Sequence, residues 1–197
     1  MALLTAEDLA RHRWFTWALL GALGGVALWL WAIGKGSAAW GTLAALLGCL
    51  GLILPPRERM PVLPPRLRRL PRWADALPVA GTILTSPGYG LGWFYGVNPF
   101  DEVVHLVNGV FAGAILAGLV LADGRRRGVS EIAGIGLAAG LTLALGWEAF
   151  EWATGLVGDW RDTASDIAIT AGGVGLGAAT VAVRAAPRWS LADHPAE

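Results

Sequence analysis

Seven carboxylates, one imidazole and one arginine gather in three short runs of an otherwise apolar chain, FDEVVH (Phe100 to His105), WEAFEW (Trp147 to Trp152) and GDWRDTASD (Gly158 to Asp166). Asp101 and His105 stand four apart, Glu148 and Glu151 three apart, Asp162 and Asp166 four apart, so each pair shares one face of a helix. Asp159 precedes the last pair and Glu102 flanks the first. Oxygen donors with one imidazole are the ligand type for Mg²⁺, Mn²⁺, Ca²⁺ or Zn²⁺. The candidate metal ligands are therefore Asp101, His105, Glu148, Glu151, Asp159, Asp162 and Asp166, and the groups expected to carry any catalysis are His105, Glu148, Glu151 and Asp166. Protons shared among crowded acids are the other way to relieve the charge. Asp101, Glu102, Asp159 and Asp162 also suit solvated or capping positions, with Asp162 or Thr163 able to N-cap the last helix. Glu148 and Glu151 fall near a helix C-terminus, where the dipole disfavours negative charge, and resist that explanation.

The elements that must position these groups are membrane spans. With 55% hydrophobic residues, a mean hydropathy of +0.54 and only 15% charged residues, the composition lies outside that of soluble globular domains. Nothing in it points to nucleic acid. The expected fold is an all-α polytopic membrane bundle of about six helices, since each crossing takes roughly 20 residues. Cys49, the lone cysteine, lies in an apolar run and reads as a small core residue.

We read residues 1–197 as a single membrane domain. Residues 1–13 form a cytoplasmic segment with Thr5 as an N-cap and Asp8 three residues on. Residues 14–54 form a two-helix hairpin whose first apolar run is too long for a signal peptide. Residues 55–72, rich in proline and carrying six arginines, read as an extended, polyproline-like and solvated connection along the membrane surface, in preference to a specific lipid-headgroup site. Residues 73–185 hold four helices and the acidic groups, with Trp73 to Tyr95, broken by Pro78 and Pro87, either crossing as a kinked helix or partly re-entering, and residues 186–197 form a cytoplasmic tail. Glycines recur at four-residue spacing, Gly21 and Gly25, Gly109 and Gly113, Gly136 and Gly140, Gly173 and Gly177, and are expected to let helix backbones approach.

Six spans with both termini on one side would place 13 of the 15 basic residues there, leaving Lys35 and Arg161 opposite. That bias predicts cytoplasmic termini and an acidic cluster at the outer face. Trp147, Trp152 and Trp160 then serve as interfacial anchors. An ionised group well inside a bilayer costs about 2.5 to 3.5 kcal/mol, so Glu148, Glu151, Asp166 and His105 need compensation that Arg161 alone does not provide.

FDEVVHLVNG, WEAFEW and GDWRDTASDI together resemble the signature of the bacterial YjdF-like inner-membrane family, with its Asp-x3-His, Glu-x2-Glu-Trp and Gly-Asp-x2-Asp-Thr-x2-Asp elements. The order of helices is more distantly similar to VanZ-like membrane proteins. The likeness covers Phe100 to Gly177 and marks Asp101, His105, Glu148, Glu151, Trp152, Gly158, Asp159, Asp162, Thr163 and Asp166. It implies a multi-pass protein of the bacterial inner membrane and assigns no activity. Three functions fit these observations: a cation site acting on an envelope lipid, a small ion- or proton-coupled transporter, and a non-catalytic subunit packing in a larger membrane complex.

Overall fold

The computed structural model describes residues 4–95, 98–155 and 159–185, and every regular element among them is helical. The helices are α1 (Ala6–Ala10), α2 (Trp14–Ala32), α3 (Gly36–Ile53), α4 (Pro65–Arg68), α5 (Ala76–Leu91), α6 (Phe100–Leu121), α7 (Val129–Thr154) and α8 (Trp160–Ala185). Five of them, α2, α3, α6, α7 and α8, are long and apolar enough to cross a membrane. Over the expected span Trp73 to Tyr95 lie a 3₁₀ turn, Arg72–Asp75, and the 16-residue α5 that follows it. At 1.5 Å per residue α5 alone is about 24 Å long, and the preceding turn extends it towards the roughly 30 Å hydrocarbon thickness. It ends on Gly92, whose φ of 72° is the left-handed cap that glycine adopts without steric cost. Packing against α2 and α3 on one side and α6 on the other, α5 joins the N-terminal hairpin to the α6, α7 and α8 group.

That group is held by glycine seams. In lipid there is no hydrophobic force between helices, so contact depends on close van der Waals approach. A Cβ on Gly109 would lie 2.8 Å from the Thr170 carbonyl oxygen, and one on Gly173 2.6 Å from that of Leu106. Gly113 and Gly177 face the backbones of Val174 and Val110 at still shorter range, while Gly136 and Gly140 close on Ala178 and Ala171. The backbone of α8 thus lies against both α6 and α7. Gly21 and Gly25, expected to do the same, have nothing within 4 Å of such a Cβ, so their spacing carries no packing contact.

The connection expected to be extended and solvated is folded. Arg57–Arg59 forms a 3₁₀ turn and Pro65–Arg68 a helical turn, and Arg57 is only 7% exposed. A charge drawn out of water needs partners. Arg57 pairs with buried Asp75 and donates to the Leu70 carbonyl at 2.7 Å, while Arg72 and His12 each approach Asp75 at 3.4 Å. The capping box expected at Thr5 is present, with Asp8 returning its carboxylate to the Thr5 amide at 2.9 Å. Asp8 does more than cap: it is buried and also pairs with Arg59. Burial opposes its ionisation, but the Thr5 hydrogen bonds and the Arg59 and Arg11 charges prevail and hold its carboxyl below the usual range. Asp123, just past α6, takes a bidentate pair from Arg127 at 2.8 and 2.7 Å and a third contact from Arg66 at 2.7 Å, which also hold its carboxyl well below that range. These ion pairs strap the connection onto the helix ends.

Two outcomes follow. Gly113→Leu should unfold or strongly destabilise the protein in detergent, by at least the roughly 1–3 kcal/mol of an overpacked core, whereas Gly134→Ala, with open space at its Cβ, should leave the melting temperature close to wild type. His12 is packed edge-on to Trp17 and faces Asp75, Arg57 and Arg72. Burial and the Arg72 charge push its imidazole below the ordinary 6.5, Asp75 opposing and Arg57 adding to the push. The unfolded chain then binds the proton more readily, so stability should fall as pH drops below about 6.5 towards the depressed folded value. Melting curves from pH 7.5 to 5 should show that loss in wild type and a reduced slope in His12→Gln.

Candidate functional site

Each of the three packed helices carries a polar group at the same end of its small-residue stripe. On α6 the four-residue register runs Asp101, His105, Gly109, Gly113, Ala117; on α7 it runs Ile132, Gly136, Gly140, Ala144, Glu148, all five buried. On α8, Asp166 and Thr170 lead into Gly173, Val174 and Gly177. Because the seams bring backbones together, the polar heads of the stripes meet beyond the last glycine.

His105 sits at the meeting point. Its Nδ1 is 2.9 Å from the Thr170 hydroxyl, and its Nε2 is 3.4 Å from Asp101 Oδ1 and 3.9 Å from Asp166 Oδ2. Asp101, His105 and Asp166 each offer a ligand atom, all within 4.8 Å of one another. Asp166 is 2% exposed and Glu148 4%, and Asp166 Oδ1 and Glu148 Oε1 are buried without any hydrogen-bond partner. Buried polar atoms in folded proteins are ordinarily satisfied, so two orphan carboxylate oxygens at one locus are unusual. Glu148 lies close enough for its charge to act on both His105 and Asp166, and Glu151 is within similar reach of Glu148, His105 and Asp101.

The remaining candidates lie elsewhere. Asp159 and Asp162 are exposed. Asp159, rather than Asp162 or Thr163, caps α8: its Oδ1 accepts from the Arg161 and Asp162 amides at 2.7 and 3.0 Å, which holds its carboxyl below the usual range. Thr163 instead accepts from the Trp152 indole at 3.2 Å. Gly158 lies outside the described residues. Arg161, the one guanidinium expected near the acids, lies over the Trp160 ring at 5.7 Å and makes no ion pair among the described residues. Among the described residues the cluster therefore has no cationic side chain within ion-pair distance except His105 when protonated.

Sequence reasoning missed Thr170, which orients His105, and Tyr89 on α5, which stands within charge reach of Glu151 and Asp101. It also missed Asn108, one turn beyond His105, which donates to Thr85 on α5 at 3.2 Å and packs against Gly81. A signal for Thr170 existed in its four-residue spacing from Asp166. For Tyr89 and Asn108 no local pattern distinguishes them from other span residues.

Packed apolar helices with a polar cluster at one end and an arginine-rich cap at the other define an integral membrane protein. The chain belongs to the family described as "Predicted membrane protein (DUF2238)", which it matches over residues 15–186. No curated protein and no solved structure matches it.

An orphan carboxylate oxygen in a dry site costs about 1–3 kcal/mol. Glu148→Met, which removes it at similar volume, should accordingly raise the unfolding midpoint of chelator-treated protein in detergent. A lowered midpoint would show that the carboxylate has a stabilising partner.

Proposed function

We propose that Asp101, His105 and Asp166 hold one divalent cation, with a further position open towards Glu148, and that the site cleaves an ester or phosphoester of an envelope lipid. The observation that carries this is the arrangement around His105. The Thr170 hydroxyl at its Nδ1 can accept an Nδ1–H, and in that tautomer the Nε2 lone pair faces two carboxylates and is free to ligate a cation. The edge of a tetrahedral Zn²⁺ site with bonds near 2.05 Å is about 3.4 Å, which matches the 3.4 Å between Nε2 and Asp101 Oδ1. Asp166 at 3.9 Å needs a shift of about half an ångström to join it. A cation there also neutralises acids that no arginine or lysine among the described residues reaches. Three protein ligands with an open position are the pattern of a catalytic site, in which the bound cation acidifies water. Glu148, unpartnered beside it, is placed to take that proton and hand it to the leaving oxygen.

The asymmetry of basic residues supports an orientation with the arginine cap in the cytoplasm and the acidic end at the outer face, both termini inside, and α5 completing a sixth crossing with the Arg72–Asp75 turn. With the motif likeness to the YjdF-like family, it favours a bacterial inner-membrane setting. The transporter reading gains little support. Beyond Thr170 and Asn108 the seam continues through Gly113, Ala117, Val174, Ala178 and Ala182, with no titratable side chain to relay a proton. The subunit reading gains nothing from the glycine pairs of α6, α7 and α8, which pack against one another within the chain.

Elemental analysis of the purified full-length protein tests the assignment. About one divalent metal per chain is expected in wild type and Glu148→Gln, and little in His105→Ala or Asp166→Asn. Metal-free wild type, or unchanged content in both ligand variants, would refute it. Glu148→Gln should keep its metal but lose at least 100-fold in hydrolysis of a lipid phosphoester, the order expected for loss of general base catalysis.

A further inference from the structure

At the opposite end, between the folded arginine connection and helices α6 and α8, lies an open cleft of about 600 Å³. Its floor includes Gly118 and Gly177, its walls the Trp73 and Phe111 rings, and its rim Arg69 and Arg184. The volume falls in the range of small-molecule sites. The glycines keep the floor low for a reason visible elsewhere: a Cβ at 118 would reach 3.1 Å from the Leu70 methyl, and one at 177 would strike the Val110 backbone. The cleft is thus a by-product of the same close packing that builds the bundle. In a membrane protein such an apolar recess fills with hydrocarbon.

Charge at the rim identifies which lipid. In the connection, Arg57, Arg59, Arg66 and Arg72 each have a carboxylate partner, whereas Arg68, Arg69 and Arg184 have none among the described residues, and of these three Arg69 and Arg184 line the cleft. Both are exposed at the mouth of the cleft. Guanidinium groups match phosphate oxygens in bidentate geometry, and basic pockets between membrane helices favour headgroups with net negative charge. A zwitterionic headgroup carries its own cation and gains less from two more. We propose that this cleft binds one anionic phospholipid, its phosphate on Arg69 and Arg184 and an acyl chain lying over Gly118 and Gly177 against Trp73 and Phe111. The inference is independent of the metal reading, since it concerns the other end of the bundle.

The test uses delipidated full-length protein in detergent, titrated with short-chain phosphatidylglycerol or phosphatidylcholine and read by native mass spectrometry. Phosphatidylglycerol should bind at least about tenfold more tightly, and the double variant Arg69→Gln/Arg184→Gln should lose roughly that factor or more. Arg125→Gln/Arg126→Gln removes the same charge outside the cleft and should bind as wild type. Ala114→Phe, which fills the cleft without altering charge, should weaken both lipids. Melting temperatures near wild type would show that the variants are folded, and any that is not gives way to Arg69→Lys/Arg184→Lys, expected to bind at intermediate strength. Equal affinity for the two lipids, equal loss in the Arg125 and Arg126 variant, or no uptake of either lipid would overturn the proposal. Full competition by glycerol phosphate would overturn it in favour of a phosphate site that needs no chain.

Discussion

The close approach of the α8 backbone to α6 and α7 is the constraint on which the rest depends. Gly109, Gly113, Gly173 and Gly177 on one contact, and Gly136 and Gly140 on the other, leave no room for a Cβ. Without a hydrophobic driving force in lipid, these contacts supply dispersion that longer side chains would forfeit by holding the helices apart. They also fix the rotation of each helix about its axis. Once Gly109 faces Thr170, His105 one turn earlier has to face the polar head of α8.

The polar cluster is therefore a consequence of register. Replacing glycine by alanine in the seam would do more than lose contacts: it would change the distance between Nε2 of His105 and Asp166, which at 3.9 Å is already the loosest of the set. Helix scaffolds hold ligand groups more precisely than loops do, and here the precision comes from backbone contacts within two turns of the site. Glu148 belongs to the same design, as the last member of a buried stripe whose other members are Ile132, Gly136, Gly140 and Ala144.

The basic end solves a different problem. Arginines that would otherwise repel one another are matched to carboxylates, Asp75 with Arg57 and Arg72, Asp123 with Arg66 and Arg127, Asp8 with Arg59 and Glu58 with Arg72. Buried charges must be paired, and the pairing forces the proline-rich connection to fold over the helix ends. The two ends thus contrast in kind: arginine and carboxylate balance at one, and acids gather around a single imidazole at the other.

Much of this was legible in the sequence because it is local. Apolar run length marked α2, α3, α6, α7 and α8; the spacing of Thr5 and Asp8 marked a capping box; and four-residue spacing put Asp101 and His105 on one face, since a helix repeats every 3.6 residues whatever surrounds it. Relations between helices were decided by the tertiary structure. Nothing local distinguishes Gly21 and Gly25, with open space at their Cβ positions, from Gly109 and Gly113, or tells that Glu148 is more deeply buried than Glu151. Nor does a run of prolines and arginines announce that Asp75, His12 and Arg57 meet, because those residues are far apart along the chain. The chain carries its own periodicities, but which faces meet depends on how closely backbones pack, and only the assembled helices determine that.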